Sequence, residues 1–359
     1  MNLDETARHI RSKLEELEKL TVSIALFGQP GSGKSSLINA LTGRNLAKTG
    51  DYNDVTLGPE RYEWNGLVLT DLPGYGTPKF PARTFFEQFD ILSYDIFLCV
   101  CVGGRLKEDD VEFFKRLRDA GKHILFVCNK HDILWRHETN IKQIEEEIIA
   151  NVRRQIAIEP ELYFTSCRLK TGLDELSHAI LRHLGEANPK KRDHWARSAQ
   201  SYSQEFLREK HKACEEYVLW ASGAAAVNAI NPIPGLDVAV DFKIMTNLFQ
   251  KITDNYGITD IMLQTLMKVA PWMTPVANNI LKFVAKQAVA EVLKQFVKRE
   301  TAKEVTKWVP FLGQAIAAGL GFGITHAAGK FYLNQCHEAA EEFLRQQLKM
   351  EQGTLRIEN

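Results

Sequence analysis

Between residues 22 and about 185, short apolar runs alternate with charged stretches of helical period. The runs 22–27, 62–64, 67–70, 96–102, 124–128 and 162–165 have strand length and strand composition. Stretches 108–120 and 141–154 repeat their apolar positions at helical spacing. This rhythm predicts a mostly parallel sheet with helices on both faces, and a ligand site beyond the carboxyl ends of the strands.

The pattern changes at Asn188-Pro189-Lys190-Lys191-Arg192, a polar segment that reads as a linker. From there to about residue 350 helix formers dominate, interrupted at 231–235, Pro271, Pro275 and Pro310. The tail, 351–359, is expected to fray. At the other end, Leu14, Leu17 and Leu20 mark 1–20 as an amphipathic helix without the apolar core of a signal peptide. Met1-Asn2 lacks the glycine that myristoylation needs, and no prenylation box closes the sequence. The expected division is an N-terminal helix (1–20), an α/β domain (21–187) and a helical domain (188–359).

A length of 359 residues suits two domains, and 45 basic against 45 acidic residues leave no net field to drive nucleic-acid binding. The six cysteines (99, 101, 128, 167, 214, 336) form no C-x-x-C pair, and two lie inside the apolar run at 96–102. They read as reduced core residues, which fits a cytoplasmic location.

Candidate chemistry begins at Gly28-Gln29-Pro30-Gly31-Ser32-Gly33-Lys34-Ser35, which fits G-x-x-x-x-G-K-[ST] between an apolar strand and a helix-like segment at 36–41. Backbone N–H groups of Gly28, Gly31, Ser32, Gly33, Ser35 and Ser36 are expected around the phosphates. Lys34 would reach the β- and γ-phosphates, and the Ser35 hydroxyl would hold Mg2+.

Asn129-Lys130-His131-Asp132 closes the run at 124–128 and selects the base. Guanine offers two donors on one edge, which a carboxylate, Asp132, accepts together; adenine has no matching edge. Lys130 would lie along the ring and Asn129 would tie this loop to the phosphate loop. Thr165-Ser166-Cys167 would cap the base with N–H groups, from Ser166 and Cys167. Asp71-Leu72-Pro73-Gly74 ends the run at 67–70, with Asp71 expected on Mg2+ and the Gly74 N–H on the γ-phosphate. A threonine should complete the metal shell: Thr56 is best placed, with Thr49 the alternative. In this order the motifs predict a domain that binds GTP and GDP and hydrolyses GTP.

Where many small GTPases carry a water-orienting Gln, this chain has Tyr75, expected to turn away as a packed aromatic. Slow intrinsic turnover follows, quickened when a second copy meets the nucleotide face. Gly31 stands where potassium-activated GTPases carry Asn, which argues against potassium dependence.

The segment Asp71-Leu72-Pro73-Gly74-Tyr75-Gly76-Thr77-Pro78-Lys79-Phe80-Pro81 resembles the immunity-related (interferon-inducible) GTPases, a dynamin-like group. So do Gly31-Ser32-Gly33-Lys34-Ser35-Ser36-Leu37-Ile38-Asn39-Ala40-Leu41, Arg105-Leu106-Lys107-Glu108-Asp109-Asp110 and Ile233-Pro234-Gly235-Leu236-Asp237. The resemblance implies a Ras-like P-loop domain joined to a helical domain built from both chain ends. It also implies homodimerisation through the nucleotide faces, higher oligomers and peripheral action at membranes. Asp54 matches a switch Glu that helps catalysis in that family, one methylene shorter; Asn129-Lys130 stands where several members have Thr-Lys. An immune role does not carry over, since related bacterial GTPases have none.

Two uncharged stretches, 218–236 and 308–328, approach the length of a membrane span. Asn228, Asn231 and two prolines interrupt the first; Gln314, His326 and four glycines interrupt the second. Both read as a buried hairpin of the helical domain. The basic positions of 291–307, interleaved with acids, read as a solvated face. Two alternatives to a membrane-surface GTPase stay open: a nucleotide-gated switch with negligible hydrolysis, and an integral membrane protein with a GTPase head.

Overall fold

A computed structural model describes residues 3–49, 58–134, 140–230, 237–284 and 316–357. The chain forms two compact units, Thr21–Tyr202 and Met1–Leu20 together with Ser203–Asn359.

The first unit is built on a six-stranded sheet. Its strands are β1 (Val22–Phe27), β2 (Glu60–Trp64), β3 (Leu67–Asp71), β4 (Ile96–Cys101), β5 (His123–Cys128) and β6 (Leu162–Phe164). The order is β2-β3-β1-β4-β5-β6; β2 is antiparallel to β3 and every other pair is parallel. Strands β3 and β4 are buried at every position, as a sheet covered on both faces requires, and their sequences are near-continuous apolar runs. Edge strand β2 alternates half-buried and exposed residues and carries the charges.

The helices of this unit are α2 (Lys34–Thr42), α3 (Ala82–Gln88), α4 (Glu108–Asp119), α5 (Ile141–Ile156), α6 (Leu173–Ala187) and α7 (Pro189–Ser198). An aromatic cluster packs beneath the sheet: Phe113 lies edge-on to Phe27 and Phe85 at centroid separations of 4.9 and 5.3 Å. Such edge-to-face contacts add to the burial of large apolar rings.

The stretch expected to be a linker, 188–192, is instead the start of α7. Asn188 caps the helix, accepting from the Lys190 N–H at 3.0 Å, and Pro189 opens it. Trp195 is fully buried and donates to the Ser177 carbonyl at 3.1 Å, while Lys191 pairs with Asp95 at 2.6 Å. The division between units therefore falls after Tyr202 and not at 187. Asn-Pro is a helix-start signal as much as a breaker, and the apolar face that anchors α7 lies C-terminal to its charged first turn.

The second unit is helical: α1 (Leu3–Lys19), α8 (Gln204–Ile230), α9 (Asp237–Tyr256), α10 (Asp260–Val269), α11 (Thr274–Val284) and α12 (Ile316–Ile357). Helix α1 lies on α8, with the Tyr217 hydroxyl donating to Glu18 at 3.1 Å and Leu17 in the shared core. Phe249, Phe283 and Tyr332 pack together at the centre of that core, Phe249 edge-on to Phe283, and Thr253 meets the Tyr332 hydroxyl at 2.6 Å. Val218, Ala221 and Ala224 to Ala226 are buried, so the described part of the apolar stretch at 218–236 serves packing. Residues 231–236, 291–307 and 308–315 lie outside the described residues. Among the described residues no helix is long and apolar enough to cross a membrane.

Candidate functional site

Among the described residues the motifs follow the carboxyl ends of β1, β3, β5 and β6. The loop after β1 turns back tightly: Gly28 adopts φ 126°, and a Cβ there would stand 2.1 Å from the Val100 carbonyl oxygen of β4. Gly33, at φ 91°, precedes the first turn of α2, and a Cβ there would stand 2.3 Å from Asn129 Nδ2. No side chain fits either position without displacing its neighbour, which is why the loop is glycine there. Ser35 and Ser36 sit half-buried in the first turn of α2, where N–H groups lack intrahelical partners.

Lys34 is buried and folds over the loop. Its ammonium donates to the Gly28 carbonyl at 3.0 Å and the Gln29 carbonyl at 3.4 Å, and lies 3.6 Å from Asp71 Oδ1. That last separation is an ion pair too long to be a hydrogen bond, so Asp71 Oδ1 is buried without a hydrogen-bond partner, as is the Ser32 hydroxyl. Burial pushes the Asp71 carboxyl up to about 6, against the pull of Lys34. A buried, under-coordinated carboxylate oxygen beside a helix N-terminus and the Ser35 hydroxyl suits a hard divalent cation, so these residues fit Mg2+. Gly74 is exposed at the mouth of the site, its carbonyl accepting from the Thr77 hydroxyl at 3.0 Å.

Asn129 joins the two halves of the site. Its Nδ2 donates to the Ser32 carbonyl at 3.0 Å, and its Oδ1 accepts from the Thr165 hydroxyl at 3.2 Å and the Cys167 thiol at 3.4 Å. One fully buried side chain thus fixes the phosphate loop, the base loop and the loop after β6 together. Lys130 turns the chain in the left-handed region at φ 60°, and its stem passes Gly33. Burial pushes the Cys167 thiol up to about 11, so it is a protonated donor and not a nucleophile.

Asp132 is held by two partners. The Ser166 hydroxyl donates to Oδ1 at 2.6 Å, and Arg168 Nε donates to Oδ2 at 2.9 Å. Burial alone would raise its carboxyl; the Ser166 hydrogen bond, its own backbone N–H and Arg168 outweigh that and hold it below the usual range. Asp132 is therefore an ionised carboxylate throughout the neutral range.

Tyr75, beside the phosphate end, points into the aromatic cluster. It stacks on Phe113 at 4.9 Å, donates its hydroxyl to Glu112 at 2.9 Å and accepts from Arg116 at 3.0 Å. Of the two candidate threonines, Thr49 is described and exposed; Thr56 and Asp54 lie outside the described residues.

Four side chains were given no role in the motif reading. Arg168 sits directly after the Thr165-Ser166-Cys167 motif. Glu112 and Arg116 act on Tyr75 from α4, distant in sequence. Asn39 was visible as a polar residue inside an apolar helix face: its Oδ1 accepts from the Leu46 and Ala47 N–H groups, each at 2.8 Å, which holds the chain leaving α2.

A mostly parallel sheet with the phosphate-loop motif after its first strand and the N-K-x-D motif after β5 defines a P-loop GTPase. The interferon-inducible GTPase family model matches residues 1–346. Interferon-inducible GTPase 5 of Bos taurus is 25% identical, spanning 98% of this chain and 81% of its own length. Interferon-inducible GTPase 1 of Mus musculus is 26% identical, spanning 74% of this chain and 68% of its own. A solved probable GTP-binding protein engB covers 46% of this chain and 99% of its own, at 21% identity and a TM-score of 0.35. The chain belongs to the interferon-inducible GTPase family: it binds guanine nucleotide and hydrolyses GTP.

Proposed function

We propose that the GTP cycle of this chain drives self-association through the nucleotide faces, at a membrane surface. The observation that carries this reading is Tyr75. The side chain in the usual water-orienting position is locked by Phe113, Glu112 and Arg116. With Tyr75 turned away from the nucleotide, a second copy meeting the first across the nucleotide face would supply what completes the site. The membrane part of the reading rests on the family resemblance alone.

Within one copy the division of labour is as follows. Lys34 and the backbone of Gly28, Gly31, Ser32, Gly33, Ser35 and Ser36 grip the phosphates and neutralise charge that grows during phosphoryl transfer. Ser35 and Asp71 would hold Mg2+, which would supply charge to screen the phosphate oxygens, and the Gly74 N–H would meet the γ-phosphate. Thr56 and Asp54 are assigned the third metal ligand and a catalytic carboxylate from the sequence motifs and the family resemblance alone. Asn129, Lys130, Asp132, Ser166 and Cys167 read the base.

Two measurements on the purified chain test the proposal. Solution size is determined with GDP, GTP and a non-hydrolysable analogue, and turnover per molecule is followed against protein concentration. Assembly with GTP or its analogue, and a specific rate that rises with concentration, are expected. A monomer in every nucleotide state with a flat rate near zero would leave the nucleotide-gated switch as the better account. Flotation with liposomes, with GDP and with the analogue, tests the membrane part separately.

A further inference from the structure

We propose that His123, His183 and Glu186 form a binding site for a borderline divalent cation of the zinc type. The site lies at the amino ends of the strands, the opposite end of the sheet from the phosphate loop. One donor atom from each of the three lies within 4.8 Å of the other two.

The case rests on the proton of His183. Its Nε2 stands 2.8 Å from Glu161 Oε2. A carboxylate only accepts, so Nε2 carries a proton, and in the neutral ring Nδ1 then carries the lone pair. That Nδ1 is buried without a hydrogen-bond partner and lies 3.5 Å from Glu186 Oε2. The His183 ring sits 4.8 Å from that of His123.

Glu161 is itself anchored. Its Oε1 accepts from the Tyr163 hydroxyl at 2.8 Å and from Arg182. A carboxylate holding the far nitrogen of an imidazole, so that the near nitrogen faces a cation, is the arrangement that orients metal-ligating histidines.

The donors come from fixed elements. His123 opens β5, and His183 and Glu186 stand one turn apart near the end of α6. Two imidazole nitrogens and one carboxylate oxygen suit Zn2+ over Mg2+ or Ca2+, with water completing the shell. Donor atoms around a tetrahedral Zn2+ lie roughly 3.4 Å apart. Rotation of the exposed Glu186 side chain and a small turn of His123 close the gap. A cation there would fasten the amino end of β5 to the last turn of α6, far from the reacting phosphates. Its effect is on stability and not on chemistry.

The test uses the full chain without an affinity tag, stripped with chelator and loaded with GDP and excess Mg2+ so that the nucleotide site is filled. Zn2+ is titrated calorimetrically, Co2+ by visible absorption, and thermal midpoints are read with and without Zn2+. One equivalent of Zn2+, a four-coordinate Co2+ spectrum and a raised midpoint are expected. E186Q should weaken Zn2+ at least tenfold and H123N should abolish the site. E161Q should weaken binding by roughly 10- to 100-fold through imidazole orientation. No uptake by the native chain overturns the proposal and leaves His183 as a structural hydrogen-bond partner of Glu161. Equal uptake by native chain, E186Q and H123N overturns it too. Glu186 is 57% exposed, so E186Q reports even if H123N fails to fold.

Discussion

Arg168 lies along the Asp132 carboxylate, its Nε 2.9 Å and its terminal nitrogen 2.8 Å from the same oxygen, Oδ2. If Asp132 reads guanine as proposed, that oxygen is one of the two the base would engage, and the base and the guanidinium would compete for it. The Arg168 side chain is 74% exposed, and an ion pair so open to water stabilises by about 0.2–1 kcal/mol. R168A should therefore speed GDP association by roughly two- to fivefold. Stopped-flow mixing with a fluorescent GDP analogue measures this; an unchanged or slower rate means that Arg168 does not compete.

Base selectivity rests on Asp132. D132N exchanges an acceptor for a donor, so it should lose GTP affinity by roughly 10^2- to 10^4-fold. It should gain affinity for xanthosine nucleotides, whose ring carries a carbonyl where guanine has an amine. Competition binding with GDP, ADP and xanthosine diphosphate decides the matter. Retained GDP preference in D132N would place base recognition elsewhere.

Lys34 should be indispensable. K34A removes the charge over the phosphate loop and takes from buried Asp71 its ion-pair partner at 3.6 Å. Single-turnover GTP hydrolysis should fall by more than about 10^2-fold. Hydrolysis at the native rate would show that this loop is not the reacting site.

Tyr75 separates packing from chemistry. Y75F keeps the ring on Phe113 but removes the hydroxyl shared by Glu112 and Arg116. Stability should drop by about 1 kcal/mol while basal turnover stays unchanged. A tenfold loss of turnover without a comparable loss of stability would put the phenol in the reaction.

The helical unit should weaken in mild acid. Burial, with Arg208 and His211 nearby, holds the His337 imidazole below its ordinary value, although Glu341 pulls it up. The Tyr256 hydroxyl lies 3.3 Å from its Nδ1, and the His211 ring is 4.6 Å away. With the folded value below the unfolded one, the unfolded chain binds more protons, so stability falls as pH drops below about 6.5. H337Q should show a smaller fall in thermal midpoint between pH 7.5 and 5.5 than the native chain. Identical pH profiles would assign the acid sensitivity to other groups.

Much of the α/β unit was legible because its strands are buried on both faces and so appear as uninterrupted apolar runs, β4 above all. The phosphate loop and the base loop were legible because their geometry admits few residue types, as the crowding at Gly33 illustrates. The partners of those loops were not. Arg168, Glu112 and Arg116 act through side chains whose meeting depends on helix placement, which no local pattern encodes. The division between units was misplaced because α7 opens on three basic residues and hides its anchor, Trp195, behind them.

Helix α1 belongs to a unit whose other members begin at Gln204, beyond the whole sheet. On the ribosome it emerges long before the surface that receives it. At about 5–20 residues per second, Leu17 waits on the order of 10–40 s while the α/β unit is synthesised and folds. Until then the nascent chain carries the apolar face of α1 without its packing partners, an opening for chaperones or for capture by a neighbouring polysome product.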